Sequence, residues 1–268
     1  MGIRSGICIH SVNPEVKVFQ SNPRNIFLLT WAAIFLSPLF LLNPSIWWLL
    51  GSVVAFQLYW VLGLTVGLHR YFTHRSFHTS AFWRECMIWA SATPLSGHPG
   101  LYAMVHLEHH RLSDTPEDPH LFYIRGWFIS SKNVNVRMTP AMKRAFVSDP
   151  VMLRTYRYYL AYSTGTALVL ALISPWALIY LWAIPVLLMQ IFRKFVTLQW
   201  VHQFGYQTYD TGDSSKNSKL LGLFFGGEGF HNTHHRFPQD WNFSRHWSEI
   251  DLGSWVIRAI KCNPPASK

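Results

Sequence analysis

Eight of the fourteen histidines in this 268-residue chain fall into three compact boxes. The last is His231-Asn232-Thr233-His234-His235, introduced by Gly226-Gly227-Glu228-Gly229-Phe230. The same His-x-x-His-His spacing stands at His106-Leu107-Glu108-His109-His110, and a looser pair, His69 and His74, lies in His69-Arg70-Tyr71-Phe72-Thr73-His74. On an α-helix positions i, i+3 and i+4 share a face, so the three imidazoles of one box can converge. Neutral imidazole is the commonest protein metal ligand, and the chemistry implied is that of a metal centre. His69 and His74 would diverge by about 140° on a regular helix, so that pair is expected to serve two ions or to sit on a bent segment. Eight or nine nitrogen ligands exceed the four of a structural zinc site, which implies two metal ions with open positions. Imidazole admits iron, zinc, copper or nickel.

Residues so far apart in sequence need a scaffold that brings them together. Half of the chain is apolar and only 13% is charged, against roughly 25% in an ordinary soluble protein. Neither Asn25 to Leu68 nor Tyr158 to Phe192 contains Asp, Glu, Lys or Arg, and each has a turn signal within it, at Asn43-Pro44-Ser45 and at Ser174-Pro175. Each is longer than the ~20 residues of one bilayer crossing. The expected fold is therefore an all-α membrane protein, a single domain over residues 1–268. Its four transmembrane helices form two hairpins, with spans at about 26–42, 46–68, 158–173 and 176–192. Residues 69–157 and 193–268 form a cytoplasmic helical cap that holds the metals.

The net charge of +10 is placed for a membrane rather than for nucleic acid. Lys17, Arg24, Arg70, Arg75, Arg154, Arg157, Arg193 and Lys194 bracket the outer ends of the hairpins, while both hairpin turns are uncharged. The positive-inside rule then puts both termini and all three boxes in the cytoplasm. Cys8, Cys86 and Cys262 form no Cys-x-x-Cys and read as free thiols of a reducing compartment. Residues 1–20 carry no apolar leader core, and Gly6 stands where a myristoylation signal needs Ser or Thr, so the hairpins are expected to supply the attachment.

The order His-x4-His, His-x-x-His-His, His-x-x-His-His, with apolar hairpins before and between, resembles the integral-membrane fatty acid desaturases, and the likeness covers about Gly67 to Phe237. His69-Arg70-Tyr71-Phe72-Thr73-His74-Arg75-Ser76-Phe77, Ser113-Asp114, Asp118-Pro119-His120 and Gly227 to His235 are similar to the acyl-CoA and acyl-lipid Δ9 branch. The resemblance implies two iron ions (Fe2+/Fe3+) held by His69, His74, His106, His109, His110, His231, His234 and His235. By position the ninth ligand is His202, in His202-Gln203-Phe204-Gly205-Tyr206. The family pattern has an asparagine four residues earlier; this chain has Leu198 there, with Gln199 beside it.

The resemblance implies an O2-dependent fatty acyl desaturase that introduces a cis double bond, with no catalytic side chain beyond the metal ligands. No protein side chain abstracts hydrogen from an unactivated methylene, so the cofactor carries the chemistry and the protein positions it. The implied partners are the bilayer, an acyl chain on CoA, carrier protein or lipid, and an external donor of two electrons of the ferredoxin or cytochrome b5 type. A hydroxylase or acetylenase on the same scaffold is the alternative. A zinc-handling membrane protein is a remote one, because transporters place ionisable ligands near the midplane and these spans have none.

Other motifs read more plainly. His98-Pro99-Gly100 echoes a haem-binding tetrapeptide, but Leu101 replaces its second glycine, and a turn is expected. His10 and His246 are expected to be solvated, His78 and His98 structural, and His120 to lie beside the metals or the substrate. Glu108, Asp114 and Glu228 are candidates to orient ligand imidazoles. Glu117-x-x-His120 and Glu228-x-x-His231 match a ferritin-like motif, yet proline and glycines deny them the helix it needs.

Overall fold

One long helix, Ile46–Thr73, carries the first box and is the axis of the core. In this computed structural model, residues 15–18, 45–120, 134–137 and 149–263 are described. The expected first span, about 26–42, lies outside them, as do Cys8, His10 and Arg24. The first half of the long helix, Ile46–Gln57, is α-helical and only partly buried, with Ile46, Trp47, Leu50, Val53 and Val54 exposed. The second half, Leu58–Thr73, is wound more widely, as a π-helix, and is almost wholly buried.

Two hydrogen bonds over five residues mark the end of the wide stretch. His74 N–H donates to the carbonyl of His69 at 3.1 Å, five residues back, and the Thr73 hydroxyl donates to Leu68 O at 2.7 Å. Two glycines let the helix Ala81–Ala92 lie hard against it. A Cβ on Gly63 would stand 2.4 Å from Ala90 O, and one on Gly67 would stand 3.1 Å from Met87 Cβ. Such small-residue contacts are how membrane helices approach closely. Helix Ala81–Ala92 buries Met87, Ile88, Ala90 and Ala92 against the long one.

The second apolar helix, Pro175–Arg193, matches the expected fourth span. Ser174 caps its start by accepting from Trp176 N–H at 3.2 Å, with Pro175 in the first helical position, where its missing N–H costs nothing. Ser174 itself is extended and ends the preceding helix Tyr159–Ile173, the counterpart of the expected third span. The Tyr59 hydroxyl, donating to Leu181 O at 3.1 Å, ties the two long helices together. Wide winding returns at Ile179–Ala183, and the helix then runs on through Ile184–Lys194 and a third wide stretch, Phe195–Trp200, into Val201–Gln203, which delivers His202.

Shorter elements complete the described residues. His98 is not in a turn, as expected, but at the N-cap of helix Pro99–Leu112, where its Nδ1 accepts from Gly100 N–H at 3.1 Å. Asp149 and Asp251 cap Pro150–Arg157 and Leu252–Ile260. Two antiparallel strand pairs fasten distant segments: Glu15–Val18 to Val134–Arg137, and His78–Thr79 to Lys261–Cys262. Cys86 is half-buried and Cys262 exposed, both free thiols. Among the described residues two helices are long and apolar enough to cross a membrane.

Candidate metal centre

Three elements and one helix end bring nine histidines together: the end of Leu58–Thr73, the helix Pro99–Leu112, the short helix His231–Arg236, and Val201–Gln203. They sort into two groups, His69, His74, His106, His110 and His234 in one, and His109, His202, His231 and His235 in the other. Within each group the ligand nitrogens all lie within 4.8 Å of one another. Every residue singled out by spacing or resemblance is present, and each His-x-x-His-His box is divided between the groups. The second box sends its first and last histidines to the group of five and its middle one to the group of four; the third box does the reverse.

Of the two expectations for His69 and His74, separate ions or a segment that departs from regular helix, the first is corrected and the second is what the wide winding supplies. Both histidines belong to the same group, with ring centroids 5.1 Å apart. The 140° divergence presumed α-helical winding, and the i→i+5 winding seen here stacks residues five apart on one face.

The nitrogens approach too closely, and in too many pairs, to be hydrogen-bonded only to one another. His234 Nε2 stands 2.9 Å from His69 Nε2, 2.8 Å from His110 Nε2 and 3.4 Å from His106 Nε2; His106 and His110 are themselves 2.9 Å apart. A neutral imidazole has a single N–H and cannot satisfy three such neighbours. Nitrogens about 2.1 Å from a shared ion would lie about 3.0 Å apart at right angles and about 3.4 Å apart at tetrahedral angles, which is the observed range. His231 and His202 repeat the pattern in the second group, at 3.1 Å. His74 Nε2 and His235 Nε2 are buried and lack any hydrogen-bond partner. The donor set fits metal ions.

Burial first, and neighbouring imidazoles second, hold His74, His106, His110, His202, His231 and His234 well below the ordinary histidine range. Each is therefore neutral and offers a lone pair, the state in which imidazole binds a metal. His120 is shifted the same way, chiefly by burial, and stacks on His109 at 4.3 Å.

Carboxylates fix which nitrogen faces inward. His69 Nδ1 reaches both oxygens of Glu228, at 2.8 and 2.9 Å, His109 Nδ1 both oxygens of Asp118, at 2.9 and 3.0 Å, and His235 Nδ1 the carboxylate of Asp213, at 2.6 Å. Burial pushes Asp213 up, but the hydrogen bond from His235 and the hydroxyls of Ser215 and Thr211 prevail and hold it well below the usual carboxylate range. With Nδ1–H donated outward, Nε2 is left free for a metal. His202 Nδ1 instead meets Ser214 Oγ at 3.1 Å, and the Ser214 hydroxyl donates to Asp114 at 2.9 Å.

Of the three expected orienting acids, Glu228 acts directly and Asp114 through Ser214. Glu108 does not: it is held by Arg111, one turn along the same helix, at 2.6 and 3.0 Å. Glu228 is thus committed to His69, and no ferritin-like Glu-x-x-His forms. Sequence reasoning missed Asp118 and Asp213 in this role. Asp118 stood inside the Asp-Pro-His triplet, but Asp213 sits in a polar loop without a spacing signal.

The two remaining positions of the third box lock it to that loop. Asn232 Oδ1 accepts from Thr208 and Tyr209 N–H at 2.9 and 2.8 Å, and Thr233 N–H donates to Asn217 Oδ1 at 3.1 Å. His246 is exposed, as expected, and its ring meets Ser248; His78, expected to be structural or interfacial, is exposed on its short strand and belongs to neither histidine group. The side chain of Leu198 lies outside the described residues.

A family model described as fatty acid desaturase matches residues 45–263. The chain belongs to the fatty acid desaturase family. It is 30% identical over 245 residues to the sn-1 stearoyl-lipid 9-desaturase of Anabaena variabilis, across 87% of this chain and 89% of that protein. Over 230 residues it is 30% identical to stearoyl-CoA desaturase 4 of Mus musculus and to stearoyl-CoA desaturase of Homo sapiens. Those alignments cover 78% of this chain but 64% and 62% of the mammalian proteins, so the chain spans less than two thirds of their length. The resemblance read from the boxes is borne out, and the chain is an oxidoreductase of the fatty acyl desaturase kind.

The orienting acids carry a measurable role. Asp213→Asn keeps the shape of the side chain but removes the charge that holds the His235 N–H. Competition with a metal chelator should show about 10–100-fold weaker retention in the affected group, the usual effect of removing such a partner. Unchanged retention would mean that Asp213 serves only its loop.

Proposed function

We propose that the nine histidines hold two iron ions and that the chain uses O2 and two external electrons to place a cis double bond in a fatty acyl chain. The observation that carries this reading is the mutual 2.8–3.4 Å spacing of Nε2 atoms contributed by three distant boxes. His69, His74, His106, His110 and His234 would hold one ion, and His109, His202, His231 and His235 the other. Bound iron, with dioxygen, supplies the oxidising power to take two hydrogens from an unactivated methylene pair while both oxygen atoms leave as water.

The protein's own share is to place and to shield. Glu228, Asp118 and Asp213 keep three imidazoles turned inward without any motion of the ligands. Phe243, buried and with its ring centroid 4.6 Å from that of His234, helps keep water from one side of the site. Water exclusion matters because it preserves the oxidant for the acyl chain. Four spans in two hairpins, with both termini and the cap 69–157 and 193–268 cytoplasmic, account for the charge-free helices and for the delivery of His69 and His202 at helix ends. We place the whole of residues 1–268 in this one domain. The electrons come from a separate ferredoxin or cytochrome b5 type donor.

The first substrates to test, after the names of the relatives, are stearoyl groups on a lipid and on CoA. Expressed with a compatible donor, the chain should add a double bond that mass spectrometry of the host lipids locates, and the purified protein should hold two iron ions. A new hydroxyl or triple bond would transfer the assignment to a hydroxylase or acetylenase. Zinc without iron, together with unchanged lipids when donor and oxygen are supplied, would overturn the oxidase reading.

A further inference from the structure

We infer that the short helix Lys219–Phe224, which follows the last long helix in sequence, dips into the cytoplasmic leaflet and presents Leu220, Leu223 and Phe224 to lipid acyl chains. It stands in a part of the chain whose sequence reads wholly as cytoplasmic cap. The inference rests on the reading of Ile46–Thr73 and Pro175–Arg193 as membrane spans.

Two hydrogen bonds set the depth of this segment. Gln57 Nε2 donates to Phe224 O at 3.0 Å, and Trp60 Nε1 donates to Phe225 O at 3.0 Å. Gln57 lies twelve positions before His69 on the long helix. That is roughly 18 Å from the metal site at the α-helical rise, and less where the winding is wider. The Phe225 ring completes the contact, 4.7 Å from that of Trp60 and 5.6 Å from that of Phe192 at the end of the second long helix.

The same bonds answer a demand peculiar to hydrocarbon. The last carbonyls of a helix have no partner inside it, and in water they need none from the protein. In a bilayer they must be satisfied internally, and irregular backbone is tolerated only against protein. Here donors reach the carbonyls of Phe224 and Phe225 from inside an apolar span. The outer face agrees: Leu220 is 64% exposed and Phe224 53%, and no charged residue occurs from Leu220 to Gly227. The buried face packs inward through Leu221 and Gly222, the latter against the Phe230 ring just before the third box. On the long helix, next to Gln57, Leu58 is also exposed. A membrane-seated segment would therefore adjoin the histidine cluster directly.

The test places a nitroxide label singly at Leu220, Phe224, Val54 and Trp247 in the full-length protein, with Cys8, Cys86 and Cys262 replaced by Ala, in phospholipid vesicles. Val54, 67% exposed on the long helix, marks the hydrocarbon, and Trp247, 89% exposed, marks water. Collision with O2, which partitions into lipid, is compared with collision with a water-soluble nickel chelate. The labels at 220 and 224 should shift to the oxygen-favouring ratio of Val54, while the label at 247 stays nickel-favouring. A nickel-favouring ratio at 220 and 224, with Val54 oxygen-favouring, would overturn the inference and leave the spans standing. Nickel access at Val54 as well would remove the spans, and the inference with them. Shielding from both reagents with spin–spin coupling between chains would assign the face to a second copy and also overturn it. Retained iron in each labelled protein shows that the fold survives, and the readout does not depend on turnover.

Discussion

Replacing His69, His106 or His231 by Ala is expected to abolish desaturation, whereas His246→Ala leaves it at the wild-type level. The three substitutions come from three different boxes, and they remove a nitrogen from one group of five, the same group of five, and the group of four, respectively. Loss at each would show that both groups are needed, because no single group contains all three. His246 is the internal control: it is exposed and touches Ser248 rather than any member of either group. Metal analysis separates two causes of inactivity. His106→Ala should deplete the group that includes His69, His74, His110 and His234 while sparing the Nδ1 bonds that orient His109 and His235, so about one ion per chain should remain. His234 is the most connected member, with three nitrogens within 3.4 Å, and His234→Ala should empty its group most completely. Activity retained in His69→Ala, His106→Ala, His231→Ala or His234→Ala would break the two-group assignment.

The boxes were legible because metal chemistry leaves its mark on both residue type and spacing. The nine histidines identified in sequence do meet in space, and His120 stands beside them with His109 and Asp118. Their division into two groups was not legible, since a single helical face at i, i+3 and i+4 points three imidazoles the same way without saying which ion each one serves. The winding of Leu58–Thr73 was hidden for a related reason: a wide helix has no composition of its own, and nothing in His69 to His74 separates a five-residue turn from two ordinary ones. Charge-free stretches gave the apolar helices near their observed limits, yet the long helix overruns the expected end at Leu68 to carry His69 within its last turns. Among the acids, Glu228 was visible beside its box, whereas Asp213 acts across a loop and becomes an orienting residue only once the chain has folded. Glu108 misled because adjacency in a box is not adjacency in space; it turns along its helix to Arg111.

The second large effect is expected at a pair that touches no ligand. Arg70 follows His69 directly, is fully buried, and its guanidinium forks onto both oxygens of Asp251 at 3.0 and 3.1 Å. The same group donates to Trp241 O at 2.7 Å and Gly226 O at 3.1 Å, and lies 3.8 Å over the Phe243 ring. Asp251 in turn caps the last helix through Ser254 N–H at 2.9 Å and accepts from Phe243 N–H at 3.0 Å. Gly227 has φ +93°, and a Cβ there would stand 2.2 Å from the Asp251 carboxylate, so the glycine-rich approach to the third box is shaped around this pair. Asp251→Asn leaves the guanidinium buried without its counter-charge, which should cost about 3–5 kcal/mol of stability. Arg70→Lys should fare little better, because an ammonium cannot make the fork or the stack. Thermal unfolding of the purified protein reads the loss, and iron content should fall with it although all nine histidines are intact. The decisive comparison is the double variant Arg70→Met with Asp251→Leu. With both charges gone no unpaired ion remains, so it should be more stable than Asp251→Asn alone. It should still hold iron poorly, since the Gly226 and Trp241 carbonyls lose the guanidinium that ties them to the helix carrying His69. Stability unchanged in Asp251→Asn would mean that the pair is incidental; iron retained in the double variant would mean that the two boxes hold their places without it.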